Sequence, residues 1–380
     1  MDRLTKFAAL LLSAVCLVSL TGYRKLGTEL SDLMVLQTVG VDCTATGYRV
    51  TVEMLRGNQN GTPDNTGGGA VTRLCSAEGR TVADALYHLP LKSGGKPFLA
   101  HNRVIVIGGE GLRALPEALA FFTRDFGVRA SQLLCVSRGC TAADLLAAKL
   151  PESDVRGEML ENVLTEAADH SVVPAVRLPD ACNAFADGTS ALCVPAVSVA
   201  GEGENVTYAV SGGAFFGHDG RFAGFLEPDV TFGIALLDGR LRGGSLTVPL
   251  PGGGTASLLL VRGKTRVDVT TRNGTPAFCA AISLVCDIKE YGQNGANGRD
   301  PTAVLTRAAE TAVRERAENA LSLLQTPPYG DCVRFGMRLR WADRTAYRRL
   351  SPTWEGAFRT CGFSCDVRVT IRRVGDATFS

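Results

Sequence analysis

Gly109-Glu110-Gly111-Leu112-Arg113-Ala114 is the stretch whose spacing comes nearest to a cofactor site. The pattern G-x-G-x-x-A follows the apolar run Val104–Ile107 and precedes a helical stretch. A dinucleotide fold uses that arrangement to bring backbone N–H groups to a pyrophosphate. The chemistry would be hydride transfer with a phosphorylated nicotinamide cofactor. Ser137-Arg138, after the next strand, offer no acidic side chain to a ribose, whereas Arg138 could face a 2′-phosphate. Two features oppose this. No preceding half completes the sheet, and an exported chain meets little soluble cofactor. The glycines are read as a strand-to-helix turn that uses their backbone freedom, and no cofactor is expected.

Four histidines, His88, His101, His170 and His218, are the obvious acid–base candidates. None lies in an H-E-x-x-H or H-x-E context, and no G-x-S-x-G elbow occurs, so no zinc hydrolase or serine hydrolase is indicated. His101 precedes a buried strand and fits a hydrogen-bonded structural role. His218 sits in a hairpin turn and is expected to be exposed. Twelve cysteines are present, Cys16 in the N-terminal apolar run and eleven beyond it. An odd number cannot pair completely within one chain. Cys135 and Cys140, or Cys361 and Cys365, do not build a doubled C-x₂-C zinc site. They read as small buried hydrophobes, with one or more disulfides as the alternative.

Phe121-Phe122-Thr123-Arg124-Asp125, with Arg129, puts two aromatics at a helix end followed by charges of both signs. Adjacent residues do not face each other on a helix. Arg124, Asp125 and Arg129 are therefore either a helix terminus with a salt bridge or the partner-facing part of a docking surface.

These groups need positioning elements. Leu33–Asp42 and Tyr48–Leu55 read as strands joined by a short turn, and Val71–Ala77 as a third. Thr81–Leu89 carries a helical stripe. Arg103–Ile107 and Gln132–Val136 read as buried strands, with a helix over Leu112–Thr123 and others near 141–149, 155–169 and 175–186. Strands alternating with helices indicate an α/β to α+β architecture of mixed sheets. Further on, Tyr208–Phe216 and Phe222–Leu226 form a hairpin. Leu258–Thr271 and Ala277–Ile288 form a longer one around Asn273-Gly274, which suits a type I′ turn. Asp300-Pro301 opens a long helix whose apolar face runs from Leu305 to Leu324 and which Pro327-Pro328 closes. Residues 363–372 alternate strictly, as a half-buried antiparallel strand does.

Asp2, Arg3 and Lys6 precede an apolar run from Phe7 to Leu20. Its fourteen residues reach about 21 Å as a helix, short of a hydrocarbon core of about 30 Å. Residues 1–22 are therefore read as a signal peptide. The remainder is too long for one small core, and we divide it into 23–200, mixed α/β, and 201–380, α+β with an antiparallel sheet and one long helix. Forty basic side chains balance 38 acidic ones, and no basic stripe suggests nucleic acid.

The order of these features resembles the Ger(x)C family of spore germination proteins, the C subunit of nutrient germinant receptors. Leu20-Thr21-Gly22-Tyr23, Glu29–Leu33 and Val39-Gly40-Val41-Asp42 look like the family's lipobox and first segments. His101 with Val104–Gly108, then Phe121-Phe122, Arg124-Asp125 and Arg129, are similar to its middle. Gln325, Asp331, Phe335-Gly336, Trp354, Phe358 and Val367–Arg373 with Gly375 follow its closing pattern. The resemblance implies a non-enzymatic lipoprotein at the outer face of the spore inner membrane. Its partners there would be two integral-membrane subunits, an A type and a permease-like B type. It also implies a diacylglyceryl cysteine where this chain has Tyr23, which has no thiol to acylate, and Trp-Asp where it has Arg24-Lys25. The alternative expectation is an exported protein that itself binds a small nutrient molecule. A deep interdomain pocket with convergent polar groups would favour it.

Overall fold

The computed structural model describes residues 2–22, 33–55, 72–109, 112, 114–150, 155–250, 253–272, 274–291 and 301–373. Helix α1 (Asp2–Gly22) comes first. Nine strands then build one mixed sheet: β1 (Leu33–Cys43), β2 (Tyr48–Leu55), β3 (Thr72–Gly79), β4 (Lys96–Phe98), β5 (Val104–Ile107), β6 (Leu133–Ser137), β7 (Leu192–Ala200), β8 (Thr207–Phe216) and β9 (Phe222–Leu226). The order is β3-β2-β1-β5-β6-β7-β8-β9, with β4 alongside β1. β1, β5, β6 and β7 run parallel, and antiparallel strands flank them on both sides. The expected hairpin of Tyr208–Leu226 is present as β8–β9, and it extends this first sheet.

Both faces of the sheet are covered. In β5, Ile105 and Ile107 face one core while Val104 and Val106 face another, as period-two alternation requires of a strand buried on both sides. The first core packs against α2 (Val82–His88), α4 (Leu115–Leu119) and α7 (Leu178–Asp187); the short α3 (Pro90–Ser93) follows α2. The second packs against α5 (Ala142–Ala147) and α6 (Arg156–Asp169). The helix expected over Leu112–Thr123 is shorter than its apolar pattern. Pro116 sets its first turn, and after Leu119 the chain continues as turns to Arg124.

The second sheet has the order β10-β11-β12-β13: β10 (Gly244–Pro249), β11 (Thr255–Arg272), β12 (Thr275–Tyr291) and β13 (Gly362–Arg373). The first three are antiparallel. β13 alternates as the sequence indicates, but it pairs parallel to β12, with Ile282 beside Val367. The expected antiparallel direction is corrected by the connection. Helix α9 (Pro301–Leu324) carries the chain back across the sheet, so the next strand enters from the same end. α9 buries Leu305, Ala309, Val313, Ala317, Leu321 and Leu324, the face its sequence displays. It meets α8 (Pro228–Asp238) closely enough that a Cβ on Gly233 would lie 2.6 Å from the Arg316 carbonyl. α10 (Phe335–Ala342), α11 (Arg344–Leu350) and α12 (Trp354–Thr360) lie between α9 and β13. The third core includes Cys193, Phe215 and Leu226 of the first sheet beside Phe278, Phe335 and Phe358, so it joins the two sheets.

Candidate functional site

Three buried carboxylates each cap the start of a helix: Asp42 and Glu53 reach helices 100 and 103 residues further on, and Asp331 the helix that begins four residues later. Asp42 at the end of β1 accepts the N–H groups of Ala142 (2.7 Å) and Ala143 (3.0 Å) at the start of α5. Burial raises its carboxyl pKa, against the pull of those two N–H groups. Glu53 in β2 accepts from Arg156 and Gly157 N–H, both at 2.7 Å, and from the hydroxyls of Thr38 and Thr72. Gly157 is needed there, because a Cβ would lie 2.3 Å from Thr38 Oγ1. Asp331 accepts from Phe335 N–H (2.9 Å), Gly336 N–H (2.7 Å) and the indole of Trp354 (3.0 Å). A carboxylate at a helix N-terminus satisfies orphan donors and complements the dipole. The motif residues Asp42, Asp331, Phe335-Gly336 and Trp354 thus position elements rather than perform chemistry. So does Gln325, whose amide donates to Phe358 O and Cys361 O.

Arg124, Asp125 and Arg129 lie together in the turn after α4. Phe122 beside them is buried and stacks edge-on against Phe121. Asp125 accepts the Gly127 N–H at 2.7 Å, closing a local turn rather than a salt bridge. That turn presents Phe126 completely to solvent, at 106% relative exposure. Arg124 and Arg129 flank it, exposed and with no side-chain partner among the described residues.

A cleft of about 670 Å³ opens where α7 and β7 meet α8 and α10. Its organising group is Asp238, the buried last residue of α8. Arg334 reaches Asp238 Oδ1 through Nε and Nη2, both at 2.7 Å; Arg240 Nε meets Oδ2 at 2.8 Å; Arg338 Nη2 stands 4.0 Å from Oδ1. Arg338 also donates to the Leu237 and Asp238 carbonyls. A carboxylate opposes the dipole at a helix C-terminus, and guanidinium groups reverse that local charge. Burial pushes the Asp238 carboxyl pKa up, and Arg334 and Arg240 pull it down. Arg334 occupies the left-handed region at φ 60°, a strained position for a non-glycine residue. Asp238 and its arginines were not among the sequence candidates. Arg240 is two residues away, but Arg334 and Arg338 reach Asp238 across 96 and 100 residues, and nothing local in the sequence marks that convergence.

The remaining candidates are dispersed. Gly109 N–H donates to Ser137 Oγ, and a Cβ on Gly109 would lie 2.1 Å from Ser137 O. Close packing, not a phosphate, explains that glycine; Glu110, Gly111 and Arg113 lie outside the described residues. Arg138 is engaged by Ser211 O and Glu227 and lies over Phe225. His88 bonds Glu78 O, His101 tilts against Phe98, His170 pairs with Glu166, and His218 meets Glu355 at 2.8 Å. His218 is half-exposed, and its hairpin turn is thereby tied to α12. Cys135, Cys193, Cys286, Cys332 and Cys361 are buried thiols without disulfides. Burial pushes the Cys193 and Cys361 thiols up to about 12. No group of three or more potential metal ligands occurs among the described residues. Tyr23 lies outside them.

Comparison with known proteins agrees with this architecture. A family profile described as spore germination protein N-terminal domain matches residues 27–199. One described as spore germination B3/GerAC-like, C-terminal, matches 211–375. The crystal structure of the GerBC protein superposes with a TM-score of 0.59 at 19% identity, over 88% of this chain and 97% of that one. The putative spore germination protein YfkR of Bacillus subtilis (strain 168) is 24% identical over 355 residues, 92% of each chain. These matches define the class, a spore germination protein of GerAC type with an α+β multidomain fold. The chain belongs to the Ger(x)C family.

Proposed function

We propose that the chain is a non-enzymatic subunit of a nutrient germinant receptor, held at the outer face of the spore inner membrane. Its partners there are the A-type and permease-like B-type integral-membrane subunits. Family membership supports the class of role. The turn after α4 carries the partner-binding part of the reading. Phe126 stands in solvent with Arg124 and Arg129 beside it, although Phe122, four residues earlier, is buried. Arginine beside an exposed aromatic side chain is the composition of an interface anchor. Helix α1 supplies delivery, with Phe7, Leu10, Leu11 and Leu12 exposed along it. No helix among the described residues is long and apolar enough to cross a membrane. We assign residues 1–22 to export and leave retention to the membrane subunits.

The test is genetic. Spores lacking this chain should lose nutrient-triggered germination, followed as the fall in optical density, and regain it when the gene is restored. An unaltered response to every nutrient that triggers the parent spores would overturn the reading.

A further inference from the structure

The cleft between the two sheets has more positive charge than its own carboxylates use. Arg240 enters from the turn after α8; Arg334, Arg338 and Arg340 enter from α10 and its cap. Three guanidinium groups lie within 4.0 Å of the single Asp238 carboxylate. Asp180 stands 4.0 Å from Arg240, and its other oxygen accepts the Arg177 N–H. Asp187, also on the wall, has its oxygens taken by Thr189 and Ser190 of its own loop. Arg340 has no carboxylate partner among the described residues and lies over the Tyr347 ring. Arg338 Nε is buried without an acceptor. A buried donor left unpaired is costly, and neighbouring like charges repel. A second anion in the cleft would offset the repulsion, while Arg338 Nε stays closed off from it.

The rest of the wall is mixed, with Asn183, Ser190 and Thr265 among mostly apolar side chains. Val176 and Ala184 come from the first half of the chain, Ile234 and Met337 from the second. Trp341, at 76% relative exposure, stands on the rim. The volume of about 670 Å³ falls in the range that encloses a small organic molecule. The frame is rigid: Asp331 fixes the start of α10, and its carbonyl accepts the Ala191 N–H from beside β7. The arginines are therefore held in place before any ligand arrives, which lowers the cost of binding.

We propose that this cleft binds a small organic anion, a carboxylate on an apolar or aromatic body. The carboxylate sits against Arg338 and Arg340, and the body lies between Val176, Met337 and Trp341. Such a ligand touches both halves of the chain and braces them together. This goes beyond the receptor role and does not depend on it, since binding is measured on the isolated chain and the receptor role in spores.

The chain has two tryptophans, Trp354 in the core and Trp341 at the cleft, so Trp341 reports binding by fluorescence. The full-length protein in non-ionic detergent is titrated with phenylacetate, phenethylamine and inorganic phosphate. Phenylacetate should give a saturable change in the millimolar range or tighter, absent in Trp341→Phe, with little response to the other two. Arg340→Gln, at an exposed position, and Arg338→Gln should each weaken binding about tenfold, with the circular dichroism of Arg340→Gln unchanged. No saturable response to phenylacetate, an equal response to phenethylamine or phosphate, or unaltered affinity in a folded Arg340→Gln would overturn the proposal.

Discussion

Asp331 accepts the indole N–H of Trp354 at 3.0 Å with the same oxygen that accepts the Gly336 N–H. One carboxylate thus ties the first turn of α10 to the first residue of α12. The bond predicts a graded response to mutation. Trp354→Phe removes one donor and should cost about 1–2 kcal/mol in denaturant unfolding. Asp331→Ala leaves three buried N–H groups unsatisfied and should cost about 3–5 kcal/mol. A Trp354→Phe cost that is unchanged in the Asp331→Ala background would show that Trp354 acts by packing alone.

The same residue gives a pH dependence. Burial raises the Asp331 carboxyl to about 6 in the folded chain, against about 4 when unfolded. The folded state therefore binds the proton more tightly, so this contribution is fully present below the unfolded value. It is lost as pH rises through the folded one. From pH 7 down to pH 5, wild type should gain about 1 kcal/mol relative to Asp331→Asn, which cannot titrate. Comparing the two unfolding curves cancels every other group. A difference that shrinks as pH falls would show the sign to be wrong.

Glu53 holds the start of α6 from the middle of β2. Glu53→Ala should cost about 3–5 kcal/mol, because two backbone N–H groups and two threonine hydroxyls lose a common acceptor. Amide exchange should rise first in α6, over Arg156–Asp169, before the core of β5 and β6 responds. Uniform deprotection would argue against a local capping role.

Much of this framework was legible in the sequence, and its limits have physical causes. Tyr48–Leu55 emerges as expected from its β-branched residues, although Val50 to Met54 are buried without alternation, and the apolar face of Pro301–Leu324 because 3.6-residue spacing records burial directly. α8 left no stripe because Gly233 to Asp238 are buried without a break, so its pattern has no period. β7 contains Pro195, and the ladder to β8 shifts register between Pro195 and Val197, which disguises the strand. The alternation of β13 records which face is buried and carries no information on direction. At the site, Asp331 and Trp354 were visible as parts of a family pattern, but their hydrogen bond was not. Asp238 was invisible, since its meaning depends on Arg334 and Arg338 folding onto it from α10.

The exposed turn after α4 should separate stability from assembly. Phe126→Asp and the pair Arg124→Glu with Arg129→Glu replace side chains that contribute nothing to the core. Each should change stability by no more than about 0.5 kcal/mol. Charge reversal should nonetheless reduce co-purification with the integral-membrane subunits, most strongly at low salt. Asp125→Ala should behave differently, loosening the turn by loss of the Gly127 contact. Full co-purification of both variants, Phe126→Asp and the charge-reversed pair, would remove this turn from the interface.

Tyr23 gives the last prediction, which concerns anchoring. Leu20-Thr21-Gly22 resembles a lipoprotein junction, but the next side chain is a phenol. Thioether attachment of diacylglycerol requires a cysteine sulfur, so a clickable fatty-acid analogue fed to the producing cells should leave the chain unlabelled. Tyr23→Cys should become labelled and shift to the membrane fraction even without the receptor subunits, because two acyl chains hold a protein stably where one does not. The unaltered chain should reach that fraction only when the subunits are co-expressed. Labelling of the unaltered chain would place the lipid on another residue. Membrane retention without label or partners would assign the anchoring to α1 itself.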